Sequence, residues 1–215
     1  MTTAHDGVVR GAGGARSLAT ALLWFTLAWN VGEGVVAVSS GVMAGSVALV
    51  GFGLDSAIEV IAAAVLIWRM RLPEHDEGAE RREQIAHRAV GSTFIALALY
   101  IAAETIYVLA TGNKPEASPV GLGLAVAATL VMPVLGLTKF WNARRVGSRA
   151  LIAESTESIV CSYLSLTLFI GLGANALFGW WWADIAAALA MVPWIVKEGL
   201  EGLRGESCDA LPARM

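Results

Sequence analysis

Residues 44–68 read AGSVALVGFGLDSAIEVIAAAVLIW, an apolar stretch in which Asp55 and Glu59 are the only charged residues. About 20 apolar residues in a row are enough to cross a bilayer as a helix. A strand is disfavoured because the stretch is too long and does not alternate between apolar and polar residues. Backbone groups in lipid must also find their hydrogen bonds within the segment. The stretch therefore predicts a transmembrane helix that carries two acidic side chains.

The rest of the chain repeats this pattern. Of its 215 residues, 56% are hydrophobic and 15% are charged, whereas an ordinary soluble domain has about 25% charged residues. Six apolar runs predict an all-α, polytopic membrane protein with one six-helix domain over residues 17–200. The runs cover residues 17–38, 44–68, 89–110, 120–141, 151–178 and 181–200. Residues 1–16 and 201–215 are expected to be short cytoplasmic tails, with no soluble C-terminal domain.

The basic residues predict the orientation of the six spans. All of the Lys and Arg residues except Lys114 fall on one predicted side, in the tails and in the connections after spans two and four. Lys139, at the end of span four, is assigned to the second of these connections. The positive-inside rule then places both termini in the cytoplasm. We expect a multi-pass protein of the plasma (inner) membrane, with the lipid bilayer as its first partner.

Several classes of protein are disfavoured by the composition. The net charge of −3 offers no basic surface for nucleic acid, and two cysteines make no disulfide framework. An enzyme is not expected, because the spans contain no His and the chain has neither a Gly-x-Ser-x-Gly nor a His-Glu-x-x-His motif. No prosthetic group is expected either.

Acidic residues inside the predicted spans indicate ion handling. Each carboxylate at the bilayer centre costs roughly 2.5–3.5 kcal/mol on insertion scales. No Lys or Arg is expected within the span cores to pair with them. The carboxylates must therefore hold protons or share a bound cation. These residues are Glu33, Asp55, Glu59, Glu104, Glu154 and Glu157.

Two pairs of residues have the spacing of metal ligands. Asp55 and Glu59 are four apart on span two, as are Glu157 and Cys161 on span five, so each pair shares a helix face. Glu59 and Cys161 both lie about 15 Å from the cytoplasmic end, near the middle of the bilayer. If the two helices touch, four side chains converge there. Carboxylates with a thiolate suit a borderline divalent cation such as Zn²⁺; cadmium and cobalt also fit, manganese and iron less well.

Each pair also has a simpler interpretation. The acidic pair on span two could line a water-filled cavity or bind a helper cation. Cys161, taken alone, is more often a small buried hydrophobe than a ligand. Glu154 lies near the cytoplasmic end of its span, where it could be solvated.

These residues resemble the cation diffusion facilitator family. Its members have six membrane helices with both termini inside, and paired ligands on helices two and five. In residues 53–59, GLDSAIE, the family ligands fall on Asp55 and Glu59; in residues 153–161, AESTESIVC, they fall on Glu157 and Cys161. The resemblance covers residues 17–200. The family's ligand histidine and its C-terminal cytoplasmic domain have no counterpart here, so the resemblance implies a membrane-only relative whose homodimer would form through its helices.

The residues and the resemblance together predict a divalent-cation transporter, with zinc as the first expectation. Cytoplasmic metal would leave in exchange for protons by alternating access, since the same carboxylates serve both ions. The predicted accessory or proton-relay residues are Glu33, Glu104, Glu154 and Asn30. Glu33 and Glu104 could form an outer relay or gate, or they could simply form a hydrogen-bonded packing group with Asn30. Two alternatives remain: a metal-binding subunit or sensor that transports nothing, and a proton- or Na⁺-coupled transporter of another solute.

Overall fold

A computed structural model describes residues 3–70, 79–146 and 149–204. Within these ranges the chain forms six helices and no strand, as the apolar runs predicted. The helices are α1 (Thr3–Ala44), α2 (Val47–Met70), α3 (Ala79–Thr111), α4 (Pro119–Val146), α5 (Arg149–Phe178) and α6 (Trp182–Arg204).

Four stretches in the described part of the chain have the length and apolar composition needed to cross a membrane. They cover residues 17–44, 88–111, 119–145 and 155–178, in α1, α3, α4 and α5. The expected all-α, polytopic membrane fold is confirmed. The side of the membrane on which the termini lie stays a prediction.

Several helices extend beyond the apolar runs that predicted them. α1 begins at Thr3 rather than near Ser17, and α3 begins at Ala79 rather than near Ala89. A helix satisfies its backbone hydrogen bonds internally in water as well as in lipid. The end of an apolar run therefore marks the end of lipid burial and not the end of the helix.

α2 lies at the centre of the bundle, where it contacts α1, α3, α5 and α6. α4 packs against α5 and α1, and α3 packs against α6. Fully buried apolar side chains such as Phe52, Ile101, Met132 and Leu168 fill the space between the helices. The contact between α2 and α5, on which the predicted four-residue site depends, is present.

The turn between α1 and α2 fixes where α2 begins. Gly45 adopts a left-handed conformation with φ of 64°, which glycine reaches without steric cost. The Ser46 N–H then donates to the carbonyl of Gly41 over 3.0 Å, closing the end of α1. The Ser46 hydroxyl accepts a hydrogen bond from the N–H of Leu49 over 3.0 Å. Ser46 is therefore the N-cap of α2.

A buried carboxylate on α6 holds the same end of α2. Asp184 has no exposed surface. It accepts hydrogen bonds from the Ser46 hydroxyl and, over 3.0 Å, from the N–H of Val47. A carboxylate at a helix N-terminus satisfies unpaired N–H groups and complements the helix dipole. This contact ties α2 to α6 at the end of the bundle that lies opposite the chain termini.

Candidate cation site

A small, partly open cavity lies between α2, α3, α5 and α6. Four of its lining residues are carboxylates, and the others are apolar or aromatic. Such a mixture of apolar walls and a few polar groups is typical of small-ligand sites. The lining residues are Asp55, Glu59, Phe94, Glu157, Val160, Leu164, Trp194, Ile195 and Glu198.

The acidic pair of α2 lies on the cavity wall. Asp55 is 3% exposed, and its Oδ2 atom has no hydrogen-bond partner within the described part of the chain. Glu59 is half-buried, and its Oε2 atom accepts a hydrogen bond from the Asn30 amide over 2.6 Å. A buried oxygen without a donor is costly, because it has lost its water and gained nothing in return. The oxygen of Asp55 is therefore available to a ligand that enters the cavity.

The α5 pair divides between the cavity and the core. Glu157 is half-buried and lines the cavity. Cys161, one turn further along α5, is fully buried within the apolar core, and its thiol lies next to Glu59. Cys161 is not among the residues that line the cavity. The thiol thus reaches the predicted site through Glu59 and not through the cavity itself.

The predicted ligands lie in one region without forming a closed metal site. Among the side chains that the structure describes, no three His, Cys, Asp or Glu groups are close enough together to hold one ion. A cation bound by Asp55, Glu59 and Glu157 would have to draw these side chains together from the walls of the cavity.

α1 adds a second layer of polar groups against α2. Glu33 is 2% exposed, and its Oε2 atom accepts a hydrogen bond from the Ser56 hydroxyl over 3.4 Å. Glu33 Oε1 and Asn30 Oδ1 are buried and have no hydrogen-bond partner in the described ranges. The amide of Asn30 connects this layer to Glu59. The predicted accessory residues of α1 therefore adjoin the acidic pair of α2.

The other two predicted accessory residues are not seen in this layer. Glu104 is half-buried on α3, and none of the described hydrogen bonds joins it to Glu33 or Asn30. The side chain of Glu154 lies outside the described residues.

One prediction about buried charge was wrong. Lys139 of α4 is only 5% exposed, and its ammonium group donates to the Ser158 hydroxyl over 2.9 Å. The sequence analysis assigned Lys139 to a solvated connection, although it falls within the predicted span 120–141. α4 continues as a helix to Val146 and turns Lys139 towards α5. The bundle therefore contains a buried cation whose partner, Ser158, follows Glu157 directly in the sequence.

Sequence reasoning also missed Glu198. This residue is half-buried near the end of α6 and lines the cavity with the three predicted carboxylates. It falls inside the predicted span 181–200, so its position was a usable signal.

Comparison with known proteins identifies the family. The profile of the cation efflux transmembrane domain matches residues 23–206. The chain belongs to the cation efflux family. The resemblance inferred from the two ligand pairs is confirmed by this match, and the cation efflux domain covers all six helices in whole or in part.

Three individual relatives of this cation efflux chain share about a quarter of their aligned residues with it. Transmembrane protein 163 of Xenopus laevis is 24% identical over 147 residues, covering 68% of this chain and 52% of the relative. An uncharacterized transporter of Synechocystis sp. is 24% identical over 176 residues, covering 76% and 57%. The magnetosome protein MamB of Magnetospira sp. is 26% identical over 186 residues, covering 84% and 63%. The chain thus spans between about half and two thirds of the length of these relatives.

Proposed function

We propose that this chain carries a divalent transition-metal cation across the membrane through the cavity between α2 and α5, in exchange for protons. The observation that carries the proposal is the buried, unpartnered Oδ2 atom of Asp55 on the wall of a cavity that Glu59 and Glu157 also line. Membership of the cation efflux family supports the same activity.

The chemistry of the cavity suits a cation. Carboxylates removed from water need a positive partner or a proton, because an unpaired buried charge is strongly unfavourable. A divalent cation bound between Asp55, Glu59 and Glu157 would supply that partner. We propose zinc as the first cargo, with Cys161 joining the ligands when Glu59 turns towards the metal. A thiolate ligand favours zinc or cadmium over harder ions.

Proton exchange follows from the same groups. Carboxyl and thiol ligands must lose their protons when they bind a metal. Protons arriving from the opposite side would release the metal and reset the cavity. Asn30 and Glu33 adjoin Glu59 and Asp55, so they are candidates for the path by which protons reach the ligands. Glu104 and Glu154 stay in the proposal as further accessory carboxylates for proton transfer.

The direction of transport rests on the orientation. With both termini in the cytoplasm, as the distribution of basic residues predicts, the cation efflux chain would export metal from the cytoplasm across the inner membrane. A homodimer formed through the helices remains part of the proposal.

The test is uptake of Zn²⁺, Cd²⁺, Co²⁺ and Mn²⁺ into proteoliposomes under a pH gradient. Asp55→Asn and Glu157→Gln should reduce the flux to that of empty liposomes, because each variant replaces a charged ligand by an amide of similar size. Glu116→Gln is the matched control, since Glu116 is an exposed carboxylate between α3 and α4. It should transport like the wild type.

Three results would overturn the proposal. Absence of flux for all four metals, with correctly folded protein that still binds metal, would favour a metal-binding subunit or sensor. Metal flux of the same size with and without the pH gradient would exclude the proton-exchange step. Flux that persists in both cavity variants would move the transport path away from this cavity.

A further inference from the structure

The geometry points to Glu198 of α6 as a cation-binding residue outside the two predicted ligand pairs. We infer that Glu198, Asp55 and Glu157 form an all-carboxylate access site for a divalent cation of the Mn²⁺ class, which would draw the three side chains together from the walls of the cavity. This inference rests on the proposed function, and it adds a third helix to the ligand set. In it, Cys161 takes no part in the first binding step.

The position of Glu198 supports this role. Glu198 shares its face of α6 with Trp194, four residues earlier, and Ile195, three residues earlier, and all three side chains line the cavity. Glu198 lines the cavity from α6, and Asp55 lines the same cavity from α2. Two carboxylates that face one another repel unless a cation or a proton lies between them.

The neighbouring basic residue, Lys197, does not supply the positive charge between Glu198 and Asp55. Lys197 is half exposed, and its ammonium group forms an ion pair with Glu201 over 3.5 Å, one turn further along α6. The same ammonium group lies 4.3 Å from the centre of the Trp194 ring. Lys197 and Glu201 thus satisfy each other along the helix surface, whereas Glu198 faces the cavity.

A second observation indicates that the cavity takes a ligand. Asp55 is more than nine-tenths buried, with only 3% of its surface exposed. Its Oδ2 atom has no hydrogen-bond donor within the described part of the chain. An acceptor in that state is completed by a cation or by a cation's bound water. One cation bound in the cavity would therefore stabilise both the carboxylate of Glu198 and the unpaired oxygen of Asp55.

The donor set determines which cation enters first. All the charged groups on the cavity wall are carboxylates, and the thiol of Cys161 lies in the core behind its contact with Glu59. Oxygen donors suit Mn²⁺ and similar hard ions. Selection for a softer metal would then occur at a later step, when Cys161 becomes a ligand.

The experiment is an equilibrium titration with Mn²⁺ of the full chain in nanodiscs made of zwitterionic lipid, which adds no anionic headgroups. Free Mn²⁺ is measured by electron paramagnetic resonance. Glu198→Gln should raise the Kd for Mn²⁺ by at least about 10-fold, the lower end of the effect of perturbing a metal site. Glu201→Gln is the matched control on the same helix, and it should remain within about 2-fold of the wild type, because its carboxylate is paired with Lys197.

A second pair of variants separates the two binding steps. Cys161→Ser should leave the Mn²⁺ Kd unchanged but weaken Cd²⁺ binding, since only the soft metal depends on sulfur. If Glu198→Gln does not fold, Glu198→Asp is the substitute variant. It keeps the negative charge but shortens the side chain by one methylene group, which moves the carboxylate away from the cavity. It should then raise the Mn²⁺ Kd as well.

The outcomes distinguish this inference from the proposed function. If Asp55→Asn weakens Mn²⁺ binding while the Glu198 variants do not, Glu198 is not a ligand and the transport proposal stands. If neither Asp55 nor Glu198 affects binding, the cavity is not the cation site and both proposals fail. If Cys161→Ser weakens Mn²⁺ and Cd²⁺ binding equally, the thiol acts in the first step and the all-carboxylate site is wrong.

Discussion

Replacing Asp184 by Ala should destabilise the bundle by removing the anchor between α6 and the start of α2. The variant loses the hydrogen bonds from the Ser46 hydroxyl and the Val47 N–H, both in a fully buried position. Hydrogen bonds to charged groups contribute about 1.5–3 kcal/mol each, so two of them give a loss of about 3–6 kcal/mol. Asp184→Asn keeps a carbonyl oxygen that can accept one of the two bonds, and it should lose about half as much.

The assay is thermal unfolding in detergent, followed by the fluorescence of the chain's 8 Trp residues. A loss of 3 kcal/mol or more corresponds to a fall in Tm of at least about 6 °C for a chain of this size. Glu116→Ala is the control, because its side chain is exposed and its described hydrogen bond uses only the backbone N–H. It should melt like the wild type.

A double-mutant cycle isolates the contact itself. Ser46→Ala removes the hydroxyl that donates to Asp184, so the double variant should be more stable than the sum of the two single changes predicts. The expected coupling is at least about 1 kcal/mol, since the two side chains are in direct contact. A Tm for Asp184→Ala within about 2 °C of the wild type, or a coupling near zero, would refute the anchor.

Two further predictions concern the pH dependence of binding and the packing of α1 on α2. Metal affinity should fall as pH falls, because carboxyl and thiol ligands must release protons to bind; Zn²⁺ binding should acidify a weakly buffered solution, and less so in Asp55→Asn. Equal affinity at about pH 5.5 and about pH 8 would contradict this. Gly53→Ala should destabilise the protein by about 1–3 kcal/mol, because its Cβ atom would lie 2.8 Å from the backbone nitrogen of Val38. Gly32→Ala, whose Cβ atom would meet no other atom within 4 Å, should melt no lower than the wild type, and equal Tm values for the two variants would disprove the close contact.

Much of the fold follows from the sequence because lipid imposes a strict rule. A long apolar run must be helical, since no water is present to satisfy its backbone. Six such runs predicted six helices, and the i, i+4 spacing placed Asp55 and Glu59 on one face of α2. The helix ends could not be read in the same way, because a helix such as α1 continues into polar sequence without any change in its hydrogen bonding.

The site was only partly predictable, for a related reason. Sequence spacing gives neighbours along one helix, but it does not say which faces of different helices meet. Glu157 and Cys161 have the spacing of a ligand pair, yet Glu157 lines the cavity while Cys161 lies in the core against Glu59. Which residues of α5 reach the cavity depends on how the neighbouring helices pack against it, and the spacing along α5 does not report that packing.

By itself, the sequence determined that the chain is a helical membrane protein with carboxylates buried in its spans, because composition and periodicity act locally. Only the tertiary structure decided how the charges are satisfied. It brought Asp184 to the start of α2, turned Lys139 towards Ser158, and placed Glu198 in the cavity. Spacing along the chain did not reveal any of these three placements. Whether such a charge meets water or protein depends on which helix packs beside it, and that is a property of the whole bundle.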